Sequence, residues 1–202
     1  KVALACALLA GTASGQAVTG FSGGTQFNIF NGGSTGDVIG WRFDVNTAIA
    51  VTDLGVWNAD TIFAGFEGLS ASHQVGLWDA AGTLLASGTV NPGDAAVGSF
   101  SYTSVTPVDL FPGTRYTVGA LYTSTDNDAY VSSPTSVSLA PEINSGTNGV
   151  FPSTGSLGFV FPDSDSTNLG RFGANFLFRP VPAPASAALL GLGGLAMSRR
   201  RR

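Results

Sequence analysis

Two short acidic stretches hold the residues best spaced for chemistry: Asp126 and Asp128 in STDNDAY, and Asp163 and Asp165 in FPDSDSTN. Carboxylates two positions apart in a loop can converge on one hard cation, and calcium accepts amide and backbone oxygens as further ligands. Asp126, Asp128, Asp163 and Asp165 are candidate calcium ligands, while the favoured reading is solvated turns with no cofactor; neither stretch is an EF-hand. His73 is the single histidine and stands just before QVGLWD. A Ser-His-Asp relay needs such a proton carrier, and Ser70 and Ser72 are near in sequence; His73 nevertheless reads as structural. Histidine zinc sites are excluded by count.

Two carboxylates facing each other across a sugar bond would make a glycosidase, and Glu67, Glu142 and eleven aspartates are available. Most stand in turn contexts, where Asp binds its own backbone. Trp41, Trp57 and Trp78 would stack on pyranose rings if exposed, but all three lie in strand-like stretches where tryptophan packs inward. No catalytic residue is assigned, and the chain reads as non-enzymatic.

The elements that must position these side chains are strands. From Val18 onward no dozen-residue stretch keeps apolar positions at helical spacing, whereas period-two alternation is common. In WRFDV, Trp41, Phe43 and Val45 share one face, and Arg42 and Asp44 share the other, where they are expected to form an ion pair. In RYTVGALY, Tyr116, Val118, Ala120 and Tyr122 share a face, as do Phe172, Ala174, Phe176 and Phe178 in GRFGANFLFR. Further strands are expected around 26–30, 49–57, 73–79, 83–90, 99–105 and 157–161, joined by turns such as DAAG, NPGD and FPGT. Residues 126–155 read as a long excursion at the edge. With 44% hydrophobic residues and 14 phenylalanines in 202 residues, the chain has enough apolar material for one core. The expected fold is all-β: an antiparallel β-sandwich, jelly-roll-like, with a short C-terminal hydrophobic helix.

Charge narrows the partners. Between the termini four arginines face 13 acidic residues, a balance of −9, with no lysine. A nucleic-acid partner needs clustered Lys and Arg and is set aside. Residues 1–17, KVALACALLAGTASGQA, read as the remnant of a signal peptide cut by signal peptidase after Ala17. Removing it takes Cys6, the only cysteine, so burial and not disulfides must hold the β-domain, residues 18–179.

Residues 180–202 close the sequence with a Pro-Ala hinge, an apolar run and four arginines. The uncharged stretch 183–198 would rise roughly 24 Å as a helix, short of a bilayer core of about 30 Å. Terminal arginines could snorkel to cover the difference and would stay on the cytoplasmic side. Val181, Pro182 and Pro184, the ALLGLGGLA run and Arg199, Arg200, Arg201 and Arg202 together resemble the PEP-CTERM sorting signal, with Ala183 where that family has glutamate. The resemblance implies export, transient anchoring in the inner membrane, processing by an exosortase-type enzyme, and a place at the cell surface or outside the cell among exopolysaccharide. The stretches GWRFDVNTAIAVTDLGVWNAD, GLSASHQVGLWDAAGTLLASGTV and SYTSVTPVDLFPGTRYTVGALY resemble an exported bacterial β-sandwich domain of unassigned function, over roughly residues 38–122. These readings lead to a surface or matrix structural protein with self-association as the physical route. The alternatives are a polysaccharide-binding module and a polysaccharide hydrolase.

Overall fold

The structure, a computed structural model, describes residues 14–27, 34–59, 68–144, 148–153 and 157–181. Pro182, Pro184, the apolar run and Arg199 to Arg202 lie outside the described residues, as does the expected signal segment before Ser14. Seventeen strands run in chain order among the described residues. The first five are β1 (Gly15–Gln16), β2 (Val18–Ser22), β3 (Thr25–Phe27), β4 (Asp37–Val45) and β5 (Ile49–Trp57). Next come β6 (His73–Trp78), β7 (Leu84–Val90), β8 (Ala96–Val97), β9 (Phe100–Leu110) and β10 (Arg115–Tyr122). Then follow β11 (Tyr130–Ser132), β12 (Ser136–Leu139), β13 (Ile143–Asn144) and β14 (Asn148–Phe151). The last are β15 (Ser164–Leu169), β16 (Arg171–Phe172) and β17 (Ala174–Pro180).

The fold is all-β with antiparallel sheets. One sheet has five strands in the order β1-β17-β5-β9-β8, and a second has seven, β15-β14-β4-β10-β6-β7 with β13 beside β4. Two small sheets, β16-β11-β3 and β12-β2, complete it. The alternation of WRFDV sends Trp41 and Phe43 toward the five-stranded sheet, where their rings lie 6.2 and 4.8 Å from that of Phe176. Both sheets contribute to a single buried apolar cluster running from Ala17 to Phe178. Burying a large side chain contributes about 1.5–3 kcal/mol, so this aromatic contact surface is the main source of stability in a fold without disulfides. Trp41 also satisfies its indole, donating to Ala174 O at 2.8 Å.

The seven-stranded sheet's other face is smoothed by glycine. Gly40, Gly119 and Gly76 stand in register across β4, β10 and β6. A Cβ at Gly40 would meet Val118 O at 2.0 Å, and one at Gly76 would meet the Trp78 ring at 2.3 Å. Trp78 therefore lies over the sheet instead of within the apolar cluster, and Phe159 and Phe161 cover it at 5.5 and 6.2 Å.

Three expectations change. Residues 157–161 are not a strand; Phe159 and Phe161 are instead the cover of Trp78. GRFGANFLFR breaks at Gly173 into β16, which pairs with β11, and β17, which pairs with β5; a Cβ at Gly173 would run into Tyr122. The stretch 126–155 is not a mere edge excursion, because β14 lies between β15 and β4 inside the large sheet.

Candidate functional site

Turn chemistry brings two loops together above one end of the seven-stranded sheet. In the loop between β10 and β11, Asp126 closes a local turn, its Oδ2 accepting from Thr123 N at 2.7 Å and Thr123 Oγ1 at 3.1 Å. Asp128 reaches across to the segment before β6. Its Oδ1 accepts from Ser70 N at 2.7 Å, and its Oδ2 accepts from Ala71 N at 3.0 Å. Asn127 N donates to Ser70 Oγ at 2.9 Å, closing the lacing between the loops. Asp128 thus satisfies backbone groups that would otherwise be stranded as the chain enters β6.

His73, the first residue of β6, completes the cluster. Its Nδ1 lies 2.8 Å from Leu121 O, and its Nε2 lies 2.8 Å from Asp128 Oδ2. A carbonyl only accepts, so Nδ1 carries a hydrogen. The ring packs 4.8 Å from that of Tyr122. His73, Asp126 and Asp128 are all buried, and one ligand atom from each lies within 4.8 Å of the others.

The electrostatics follow from this burial. Desolvation pulls the His73 imidazole down, but the hydrogen bonds to Asp128 and Leu121 and the charges of Asp126 and Asp128 outweigh it, leaving its pKa above the ordinary value. Desolvation likewise pushes Asp128 up, yet the His73 bond and the Ser70 and Ala71 amides hold its carboxyl below the usual range. Asp126 moves the other way: burial raises its pKa, and the Thr123 bonds and the His73 charge only partly oppose the rise. Its Oδ1 is buried with no hydrogen-bond partner among the described residues.

Asp163 and Asp165 stand elsewhere, on the outer face of β4. Asp165 pairs with Arg42, and Asp163 Oδ1 accepts from Ser153 N at 2.6 Å. Arg42 does not pair with Asp44 as the sequence suggested. Asp44 is instead gripped by Arg115 through Nε at 3.3 Å and Nη2 at 3.0 Å. Arg115 is directly opposite Asp44 in the β4–β10 register, where side chains are about 5 Å apart, against about 6.7 Å for two residues along one strand. A recess of about 310 Å³ beside these pairs is lined by Arg42, Ala80, Arg115, Thr117, Phe161 and Asp163.

Among the described residues, neither Ser70 nor Ser72 completes a relay with His73. Ser70 Oγ accepts from Asn127, and Ser72 Oγ donates to Asn91 Oδ1 at 2.8 Å. Gly-x-Ser-x-Gly occurs at 20–24 and 32–36, but Ser22 lies in β2 and bonds Ser136 Oγ at 2.8 Å. The three tryptophans are buried, at 0, 5 and 3% exposure for Trp41, Trp57 and Trp78, so none offers a face for stacking.

The two ends of the domain are also placed. Ala17, read as the residue before the signal-peptidase cut, is fully buried, its N–H donating to Phe176 O and its carbonyl accepting from Ala140 N, both at 3.0 Å. β1 just before it pairs with β17. Val181, the first residue of the stretch that resembles a sorting signal, donates from its N–H to Ala48 O at 3.1 Å.

Sequence reasoning missed His73 as the partner of Asp126 and Asp128, which lie more than fifty positions away. No local signal joined them; only the β6–β10 register, with Val75 opposite Ala120, brings the strand ends together. No curated protein matches this sequence. The profile of a family described as a domain of unknown function (DUF4082) matches residues 28–172, and the chain belongs to that family.

Proposed function

We propose that the chain is an exported, non-enzymatic β-sandwich, jelly-roll-like in its crossings between two sheets, that serves as a structural module at the cell surface or in the extracellular matrix. It associates with copies of itself through β7, whose outer edge has no ladder partner among the described residues although Gly88 lies against Thr103 of β9. The observation that carries this reading is the character of that edge. Among the described residues β7 pairs only with β6, and its seven residues, LLASGTV, contain no charge and no proline. Charge and proline are the usual means of blunting an edge, and an unblunted one is a template for a further strand. A second copy of β7 fits because it brings neutral strand to neutral strand in a body whose balance of −9 would otherwise resist association.

The terminal segments supply the route. The N-terminal segment directs export, with a signal-peptidase cut near Ala17, and residues 180–202 hold the chain in the inner membrane until an exosortase-type enzyme acts. Sedimentation over a wide concentration range, with and without calcium, tests the assembly. The wild-type chain associates, and Ser87→Lys, which puts a charge on the edge, stays monomeric. A wild-type chain that remains monomeric at high concentration would count against the reading.

A second reading, a module for polysaccharide, is favoured by one feature. The recess beside Arg42, Arg115, Phe161 and Asp163 combines an aromatic ring with charged hydrogen-bonding groups, the mixture suited to sugar hydroxyls. Saturable binding of a matrix glycan, lost in Phe161→Ala, would support it.

A further inference from the structure

The buried cluster at the start of β6 contains one carboxylate more than an ion pair requires. His73 and Asp128 satisfy each other at 2.8 Å with side chains 0 and 1% exposed. Asp126 is 4% exposed, places a ligand oxygen within 4.8 Å of both partners, and has an Oδ1 with no hydrogen-bond partner among the described residues. Two buried carboxylates beside one imidazole would, if both ionised, leave more negative charge than the imidazole can balance, which is costly in a dry site unless a cation is present. The Nδ1–H of His73 is fixed on Leu121 O, the arrangement that aims the Nε2 lone pair of a neutral histidine at a metal.

We propose that His73 Nε2 and carboxylate oxygens of Asp126 and Asp128 bind one divalent transition-metal ion, which staples the start of β6 to the loop after β10. The count of one histidine excludes a site built from histidines alone and is compatible with a mixed nitrogen–oxygen set. The donors also argue against calcium, the ion suggested by the aspartate spacing. Imidazole nitrogen suits zinc and its neighbours, whereas calcium takes 6–8 oxygens, more than two aspartates whose oxygens already serve Thr123, Ser70 and Ala71 can provide. Ligands about 2.0–2.2 Å from a zinc ion stand about 3–4 Å apart. His73 and Asp128 therefore separate by less than about 1 Å, and the widest spacing closes by a similar amount. Burial of all three ligands makes the site structural, with no opening for a substrate.

The untagged full chain, stripped with a chelator, is titrated separately with Zn²⁺, Ca²⁺ and Mg²⁺ while heat of binding and Tm are followed. One Zn²⁺ per chain with a raised Tm is expected, and no comparable response to Ca²⁺ or Mg²⁺. Co²⁺ in the same site gives a visible absorption band that changes in His73→Gln. Asp126→Asn keeps an acceptor for Thr123, so its metal-free Tm stays near that of the wild type while Zn²⁺ affinity falls at least about tenfold. Absence of a Zn²⁺ response, a response equal in Asp126→Asn, or a preference for Ca²⁺ would each overturn the proposal.

Discussion

Nε2 of His73 lies 2.8 Å from Oδ2 of Asp128, and neither side chain reaches solvent. The contact joins β6 to the loop after β10 and is the most deeply buried ion pair among the described residues.

Removing one member of a buried pair leaves the other charge stranded, at a cost of about 3–5 kcal/mol. Asp128→Ala therefore destabilises the chain by about that amount, because it also strands the amides of Ser70 and Ala71. Urea unfolding measures the change, and a loss below about 1 kcal/mol would show that water takes over these groups.

In chelator-treated protein the same pair gives stability a pH window. The folded pKa of His73 is raised above 6.5, so its contribution is present below that value and lost as pH rises through the raised folded pKa. The folded pKa of Asp128 is lowered below 3.8, so its contribution is present above that value and lost as pH falls through the lowered one. Asp126 is raised chiefly by burial; when ionised its charge repels Asp128 but favours the protonated His73. The imidazole also faces the Tyr122 ring and Leu121 O. Wild type should lose stability relative to His73→Gln as pH rises from 6 to 9, in unfolding experiments at each pH; parallel curves would reject the assignment.

Asn175 is fully buried and holds the N-terminal strand in place. Its Oδ1 accepts from Val18 N at 3.0 Å, and its Nδ2 donates to Val18 O and to Tyr102 Oη, each at 2.9 Å. Asn175→Leu, close in volume, leaves these groups unpaired and costs about 3 kcal/mol. Hydrogen exchange at Val18 should quicken in step with the drop in Tm, and unchanged protection there would contradict the role.

The segment before Val18 belongs to the fold. A chain beginning at Val18 loses the β1–β17 pairing, the partner of Ala140 N and the bond from Gln16 Nε2 to Tyr102 Oη at 2.8 Å. It should be less stable than one beginning at Ser14 by about 3 kcal/mol, at about 1 kcal/mol per hydrogen bond. Calorimetry of the two chains decides the point.

The glycine row across the large sheet tolerates no side chain at its most constrained member. Gly40→Ala places a methyl against backbone that a rotamer change cannot move, and costs about 3 kcal/mol. Gly93→Ala, with open space around it but a positive φ of 90°, should cost only about 1 kcal/mol.

The alternation of Trp41, Phe43 and Val45, of Tyr116 to Tyr122 and of Phe172 to Phe178 was enough to determine an all-β chain and most of its buried face. Side-chain direction in a strand depends only on the parity of position, which sequence displays. The turns at Asp79 to Gly82 and at Pro112–Gly113 were legible for the same reason, since their geometry is local. Tertiary structure alone decided which charges meet. Asp44 takes Arg115 and Arg42 takes Asp165 because strand register outweighs proximity in sequence, and one turn of chain after β10 delivers Asp126 and Asp128 to His73. Contacts between distant residues are set by how two sheets align, and that alignment depends on the sum of many packing contacts which no short stretch contains.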